Sequence, residues 1–399
     1  TNLAFALCSR LAAVADRGRM ADTEKAQLRR GLRDVYIDRT QISFINGKEG
    51  KLLYRGYNIH DLAENSTFEE IVYLLLHGSL PTKTQLSELN ALLKQSRTLP
   101  EEVVAIIRTV KNAHPMDVLR TAISALSTFD PDVTDNKPDA TIRKSIRLTA
   151  AATTIVTTHA RIRDGKEPVE PNQKLGHAAN FLYTLSGEIP HPEDAALMDK
   201  DFVLHAEHSI NASSFASRVA ASTNADLHCA VTTGIAVLKG PAHGGAAESV
   251  MHMVDEIGTP ANAESYVKNT IQGGGRIVGF GHRVYKTTDP RAIHLREDAR
   301  RLGERKGRPD LIETLVAISE AMEPYCKKGI CENVDFWSGA IYHLLGIPTD
   351  LFISIFTMGR IPGWTAQVLE QFDNNILLRP LLIYQGEHDR TFVPIERRC

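Results

Sequence analysis

One stretch of alternation, followed by a long succession of helical periods, sets the fold class. Between Val35 and Tyr57 apolar and polar residues roughly alternate, and Asn46-Gly47 with Gly50 supply the positive-φ residues of a tight reversal, which predicts a β-hairpin. No later segment of the sequence carries a comparable strand signal. Thr67 to His77 predicts a helix stopped at Gly78 and Pro81, and Leu86, Leu89, Leu92 and Leu93 mark the apolar stripe of the next. Pro100 before Glu101 and Glu102, and Pro115 before Met116 and Asp117, predict first-turn prolines opening two more. The segment 129–144, rich in Asp, Asn and Pro, predicts an exposed loop. The expected class is all-α with a small N-terminal β-hairpin, without the strand–helix alternation of a parallel nucleotide-binding sheet.

With 399 residues, 43% of them hydrophobic, the chain is long enough for two domains. Lys and Arg number 46 against 48 for Asp and Glu, so no global field favours nucleic acid or an anionic membrane, and any anion site must be local. The best candidate for a membrane span, from His343 to Met358, is broken by Gly346, Pro348 and Asp350. The five cysteines are scattered without a C-x-x-C pair, which predicts no disulfide framework, no zinc knuckle and a reducing compartment. Residues 1–19 loosely resemble an organellar presequence, but Met20-Ala-Asp-Thr-Glu reads as a natural start, so 1–19 are expected to be an upstream or added extension.

Polar chemistry concentrates in four stretches: HAEHSINASS (205–214), LKGPAHGGAAE (238–248), GGGRIVGFGHRVYKTTDPR (273–291) and ENVDFWSGA (332–340). None fits a dinucleotide fingerprint, a P-loop, a nucleophile elbow or a zincin helix. His205 and His208 could share a helix face as metal ligands but lack the necessary companions, so they read as hydrogen-bonded helix histidines. His243 sits on a Gly/Pro turn before a helical pattern starting at Ala246. A helix N-terminus disfavours imidazolium there, leaving a neutral N–H able to donate to a developing enolate, although a buried turn histidine is the plainer reading. His282 follows Gly279-Phe280-Gly281 and precedes Arg283, Lys286 and Arg291, cations enough for a dicarboxylate and a phosphate, or simply a solvated basic loop. Asp335, between Val334 and Phe336-Trp337, is either a desolvated base or a helix cap.

In this order and spacing, and together with ISFINGKEGKLLYRGY, HPMDVLRTA, GRIPGWTAQVLEQ and NNILLRP, these stretches resemble the citrate synthase family from about Gly31 to Pro380. The resemblance implies a two-domain helical homodimer. Residues 20–244 with 347–399 are expected to form the large domain and 245–346 a mobile small one, with His243 at a hinge. It implies that His243 stabilises the enol of acetyl-CoA, Asp335 removes the methyl proton and His282 polarises the ketone of oxaloacetate. His208, Arg291, Arg360 and Phe356, with Arg379 from across the dimer, would hold oxaloacetate; Arg276, Ile277, Val278, Gly279, Gly281 and Lys286 would hold CoA. Neither metal nor cofactor is implied, and a cytoplasmic location is expected. Ser209, Ala242 and Ala247 depart from common residues of the family and leave the acyl pocket open. The alternatives are a 2-methylcitrate synthase taking propionyl-CoA, a non-catalytic CoA-binding or assembly protein, and a metal hydrolase.

Overall fold

The structure is a computed structural model describing residues 28–32 and 34–398. Residues 1–19, and with them the expected extension, lie outside the described residues, as do Met20 and Cys399. The chain divides into one unit of Thr40–Leu377 and a second made of Thr1–Arg39 with Leu378–Cys399.

In the larger unit, β1 (Ser43–Asn46) and β2 (Lys51–Tyr54) pair antiparallel with Asn46 opposite Lys51, and β3 (Tyr57–Asn58) adds a third antiparallel strand. The turn closes because Asn46 Oδ1 accepts the amides of Lys48 and Glu49 at 3.1 and 3.3 Å while Gly50 takes φ 64°. The strands are shorter than the alternation from Val35 suggests, since residues 35–42 are irregular.

Sixteen α-helices follow among the described residues. The first eight are α1 (Ile59–Asn65), α2 (Phe68–His77), α3 (Lys83–Gln95), α4 (Glu101–Thr109), α5 (Pro115–Leu126), α6 (Pro138–Arg163), α7 (His177–Ser186) and α8 (Pro192–His205). The rest are α9 (Ala212–Ser222), α10 (Leu227–Leu238), α11 (Ala246–Ile257), α12 (Ala263–Gln272), α13 (Pro290–Arg305), α14 (Pro309–Cys326), α15 (Val334–Leu344) and α16 (Phe352–Asp373). Local chemistry explains their ends. Thr67 and Glu70 form a capping box on α2, which stops at left-handed Gly78, and Thr82 with Gln85 repeats the box on α3. Each such cap is worth about 1 kcal/mol.

Two sequence expectations shift. Pro115 does occupy the first turn of α5, but Pro100 is the capping residue before α4. The polar loop ends at residue 137, because Pro138 opens α6 and residues 138–144 form its first turns. Lys144 is fully buried there, its ammonium donating to the carbonyls of Asp135 (2.6 Å) and Val133 (3.3 Å), while Arg147 pairs with Asp130 and Asp132. The partners of both cations are the loop's own carbonyls and carboxylates.

Helices α6 and α16, of 26 and 22 residues, pack on each other and are buried along most of their length; α16 also packs on α8, α9 and α10. Gly363 allows the closest of these approaches, since a side chain there would collide with the Ala206 carbonyl. Helices α11 to α15 pack chiefly among themselves, α15 lying between α11 and α13.

The expectation of no disulfide is overturned at one pair: Cys326 and Cys331 are bonded, with Cα atoms 4.3 Å apart. Cys326 ends α14, and Gly329, at φ 86°, turns the chain back so that a cysteine five positions on meets it. In the second unit the described residues are irregular apart from 3-10 turns at Arg30–Leu32 and Ile395–Arg397, and Tyr36, Leu381, Leu382 and Phe392 are exposed.

Candidate active site

Most of the flagged residues stand near the end of a helix or on the buried face of one, while His282 lies in the loop between α12 and α13. Asn211 caps α9 by accepting the amides of Ser213 and Ser214, both at 3.1 Å. Immediately before it, the chain from Ala206 to Ile210 carries His208, buried, with Ser209 at φ 52°. His243 lies on the turn between α10 and α11, with the N-terminus of α11 following at Ala246 as the sequence suggests. Asp289 caps α13 and carries Arg291 two residues on. Asp335 is second in α15, whose cap is Asn333, so the aspartate is free of that duty. Phe356 and Arg360 are one turn apart on α16.

Hydrogen bonds assign the ring protons of two histidines. The amide of Ser213 donates to His243 Nε2 at 3.3 Å, and the Ser213 hydroxyl lies 2.9 Å from the same atom. An amide cannot accept, so Nε2 carries no proton and the neutral ring holds its N–H at Nδ1. Trp364 Nε1 and Asn211 Oδ1 complete the environment of that serine hydroxyl, at 3.1 and 2.8 Å. In His282 the arrangement is reversed: Nδ1 accepts the amides of Val284 (3.0 Å) and Tyr285 (3.2 Å), leaving the N–H at Nε2.

Both rings are held neutral. Burial, with Arg360 nearby, brings His243 down to about 4; burial, with Arg291, brings His282 down to about 4. His208 lies well below its ordinary value through burial and the charges of Arg291 and Arg360; its ring stands 5.1 Å from that of His282, and its Nε2 lies 3.1 Å from the Tyr285 hydroxyl. Burial raises the Asp335 carboxyl, opposed by the positive charges of Arg291 and Arg360, so it is a stronger base than a solvated aspartate.

The two arginines differ in how they are satisfied. Arg291 is paired through two nitrogens with Asp289, at 3.0 and 2.7 Å. Arg360, 1% exposed, donates from Nε to the His205 carbonyl at 2.6 Å and lies 4.8 Å from the Phe356 ring centre, yet its Nη2 has no hydrogen-bond partner. Burial lowers its pKa to about 10. A buried guanidinium with an open donor is a site for an anion. His208, His282 and Asp289 offer donor atoms within 4.8 Å of one another, a spacing that could hold a metal ion. The donor set fits one poorly: Arg291 occupies both Asp289 oxygens, Tyr285 engages His208, and Arg360 adds positive charge.

The loop bearing His282 is tied to the segment bearing Asp335. The Gly281 amide donates to the Cys331 carbonyl (2.7 Å), the Asn333 amide to the Gly279 carbonyl (2.9 Å), the Asn333 side chain to the Gly281 carbonyl (3.1 Å) and the Asp289 amide to the Glu332 carbonyl (3.0 Å). Gly279 has φ 81°, and a side chain there would press on Phe336 at 2.7 Å. Among the expected CoA residues, Arg276 and Lys286 are exposed, Val278 is half-buried and Ile277 is buried, so Ile277 can offer only backbone. The Lys286 amide donates to the Gly47 carbonyl of the hairpin turn at 2.8 Å.

His208, His243, His282, Asp335, Arg291, Arg360 and Phe356 thus share one neighbourhood around the two guanidiniums. Arg379 belongs to the second unit, exposed in the irregular chain beyond α16, and is described there by itself. Sequence reasoning missed Ser213, Trp364, Tyr285 and Glu207. Ser213 lay within a flagged stretch, but its role as partner to a histidine thirty positions away depends on how α9 meets the 240–245 turn. Glu207, fully buried and raised to about 7 by that burial, accepts from Ser43 (3.0 Å) and Gln367 (2.9 Å) and gave no separate signal.

Residues 31–381 match the family model described as citrate synthase, C-terminal domain. Citrate synthase 2 of Bacillus subtilis is 45% identical over 372 residues, 93% of this chain and 99% of its own. The 2-methylcitrate synthase 1 of Corynebacterium glutamicum is 40% identical over 379 residues, covering 94% of this chain and 99% of its own. The crystal structure of citrate synthase from Pyrobaculum aerophilum superposes with a TM-score of 0.89 at 42% identity, covering 92% of this chain and 95% of that one. The citrate synthase of Thermoplasma acidophilum, solved as a ternary complex with carboxymethyl coenzyme A and oxaloacetate, gives 0.88 at 31% identity, covering 93% and 100%. On this match of sequence and fold, the chain belongs to the citrate synthase family.

Proposed function

We propose that the protein condenses oxaloacetate with acetyl-CoA and hydrolyses the citryl-CoA product to citrate and CoA, the entry step of the tricarboxylic acid cycle. The observation that carries this reading is Arg360, a buried guanidinium with an open donor beside neutral His208 and His282, which suits a small keto-dicarboxylate. Asp335 takes a proton from the thioester methyl group while the Nδ1–H of His243 donates to the oxygen that becomes the enol. Neither group suffices alone, because a carboxylate is far too weak a base unless charge is met as it forms. The enol carbon then attacks the ketone, whose oxygen gathers charge against the Nε2–H of His282. Arg291 and Arg360 hold the carboxylates, and water finally cleaves the thioester.

Arg379 completes the oxaloacetate site from a second subunit of a homodimer in this reading, and the apolar residues exposed along 376–395 supply surface for such a partner. Closure of residues 245–346 over 20–244 with 347–399 shields the acyl-CoA; the mutual packing of α11 to α15 supports treating them as one moving body. The backbone of residues 276–281 and Lys286 receive the CoA nucleotide. Among the described residues no helix is long and apolar enough to cross a membrane, and a cytoplasmic location is part of the proposal.

The relative named 2-methylcitrate synthase supports a second reading with propionyl-CoA. One methylene is worth only about 1–3 kcal/mol in a pocket. Comparing kcat/KM for acetyl-CoA and propionyl-CoA with oxaloacetate present tests both readings: preference for acetyl-CoA supports citrate synthesis, preference for propionyl-CoA supports the alternative, and no CoA release with either refutes both.

A further inference from the structure

One half of the disulfide, Cys331, is itself among the contacts that tie the His282 loop to the Asp335 helix. Cys331 is buried, and its carbonyl accepts the Gly281 amide at 2.7 Å, next to His282. Glu332 pairs with Phe280 across an isolated antiparallel bridge and accepts the Asp289 amide through its carbonyl (3.0 Å) and Trp337 Nε1 through its side chain (3.0 Å). Asn333 then caps the helix that carries Asp335 and holds the carbonyl of Gly281. Residues 331–333 are therefore a strap binding the His282 loop to the Asp335 helix, and the disulfide anchors one end of that strap to the C-terminus of α14. The joining turn is open: Lys327, Lys328 and Ile330 are exposed, and Cys326 is partly so.

We infer that Cys326 and Cys331 form a thiol–disulfide switch that sets the activity of the site through this strap. The inference rests on the roles proposed for His282 and Asp335. A thiolate of a dithiol reductant attacks the accessible Cys326 sulfur; the S–S bond breaks, Cys331 leaves as a thiolate and takes a proton, and a mixed disulfide remains. The reductant's second thiol attacks that bond, releasing Cys326 as a thiol and leaving the reductant as a disulfide, two electrons having passed to the protein. Two sulfurs no longer bonded cannot stay at bonding distance in a turn this short. Because the rest of the α14 terminus is held by its helix, the displacement falls on the strap and on Gly281. Oxidised enzyme is the aligned form; reduced enzyme has a loosened His282 loop.

The test uses wild-type enzyme prepared oxidised, or reduced with dithiothreitol and desalted without oxygen, with turnover followed by loss of thioester absorbance so that thiols do not interfere. Trypsin cuts after Lys327 and Lys328, so the bonded pair links two peptides that separate on reduction, which reports the redox state directly. The expected result is a kcat lower by roughly threefold or more in the reduced enzyme, the size of coupling that a displaced supporting contact exerts, with a raised KM for oxaloacetate. Reoxidation restores both. Cys326→Ser with Cys331→Ser together give the reduced rate and no response to dithiothreitol. Equal, non-zero rates in the two wild-type forms, unlinked peptides in the oxidised enzyme, or a double variant that still responds would overturn the switch. Absence of turnover in both forms would overturn the proposed activity along with it.

Discussion

His243 and His282 are held neutral by the same cause, burial beside an arginine, yet they are fixed by opposite ring nitrogens and by different kinds of structure. His243 gives up Nε2 to an amide in the first turn of α9, so its orientation depends on how α9 and α16 meet the 240–245 turn. His282 gives up Nδ1 to amides two and three residues further along its own loop, so its orientation is local, and the strap at 331–333 ties that loop to the Asp335 helix. The pair teaches that a neutral donor can be set either by tertiary packing or by a loop turning on itself. The first is rigid because helices hold it; the second can be moved.

The contrast can be broken most severely at the donors and the base. His243→Ala or Asp335→Asn is expected to lower turnover roughly 100-fold or more, with the fold intact by circular dichroism. Wild-type turnover in either variant would remove its assigned role. Arg360→Met is expected to raise the KM for oxaloacetate by about 10- to 100-fold, as loss of a charged hydrogen bond does. Because its Nη2 is already unsatisfied, the melting temperature should hold or rise; a large fall would mean that the charge is paired within the protein.

Smaller effects separate the two anchoring devices. Ser213→Ala leaves the amide that fixes His243 but removes the hydroxyl bonded to Trp364, so kcat should drop by roughly tenfold or less while the KM for oxaloacetate stays. Gly281→Ala should do the reverse. At φ 84° a side chain costs about 1–2 kcal/mol, and the strain falls on the His282 loop, raising the KM for oxaloacetate first. The mildest expectation is a missing feature in the pH profile. With both histidines near 4, their protonation should leave no break in kcat at the ordinary imidazole value near 6.5. Protonation of Asp335, whose raised pKa makes it lose its charge earlier on acidification than a solvated aspartate, then removes the base.

What could be read from residues alone follows from where the governing interactions lie. Helix ends such as Thr67 with Glu70, and Gly78, were legible because caps are local. The hairpin turn at Asn46 was legible for the same reason, while its strands are shorter than the alternation suggests because residues 35–42 are irregular. The exposed loop was drawn too long because Pro138 reads both as turn and as helix opener, and only the buried contacts of Lys144 decide between them. In the site, His243, His282 and Asp335 announced themselves through glycine-rich or apolar neighbours. Ser213 and the open donor of Arg360 did not, since a hydroxyl or a guanidinium gains meaning only from what lies across space. The disulfide was missed because a C-x4-C spacing closes only when Gly329 reverses the chain.

The claim on which the mechanism turns is that two neutral imidazoles present opposite nitrogens to the substrates. Nitrogen-15 NMR of ring-labelled enzyme, with His243→Ala and His282→Ala for assignment, tests it directly at pH 7. The account predicts both rings neutral, His243 protonated at Nδ1 and His282 at Nε2. A charged ring at either position, or the same tautomer at both, would contradict it.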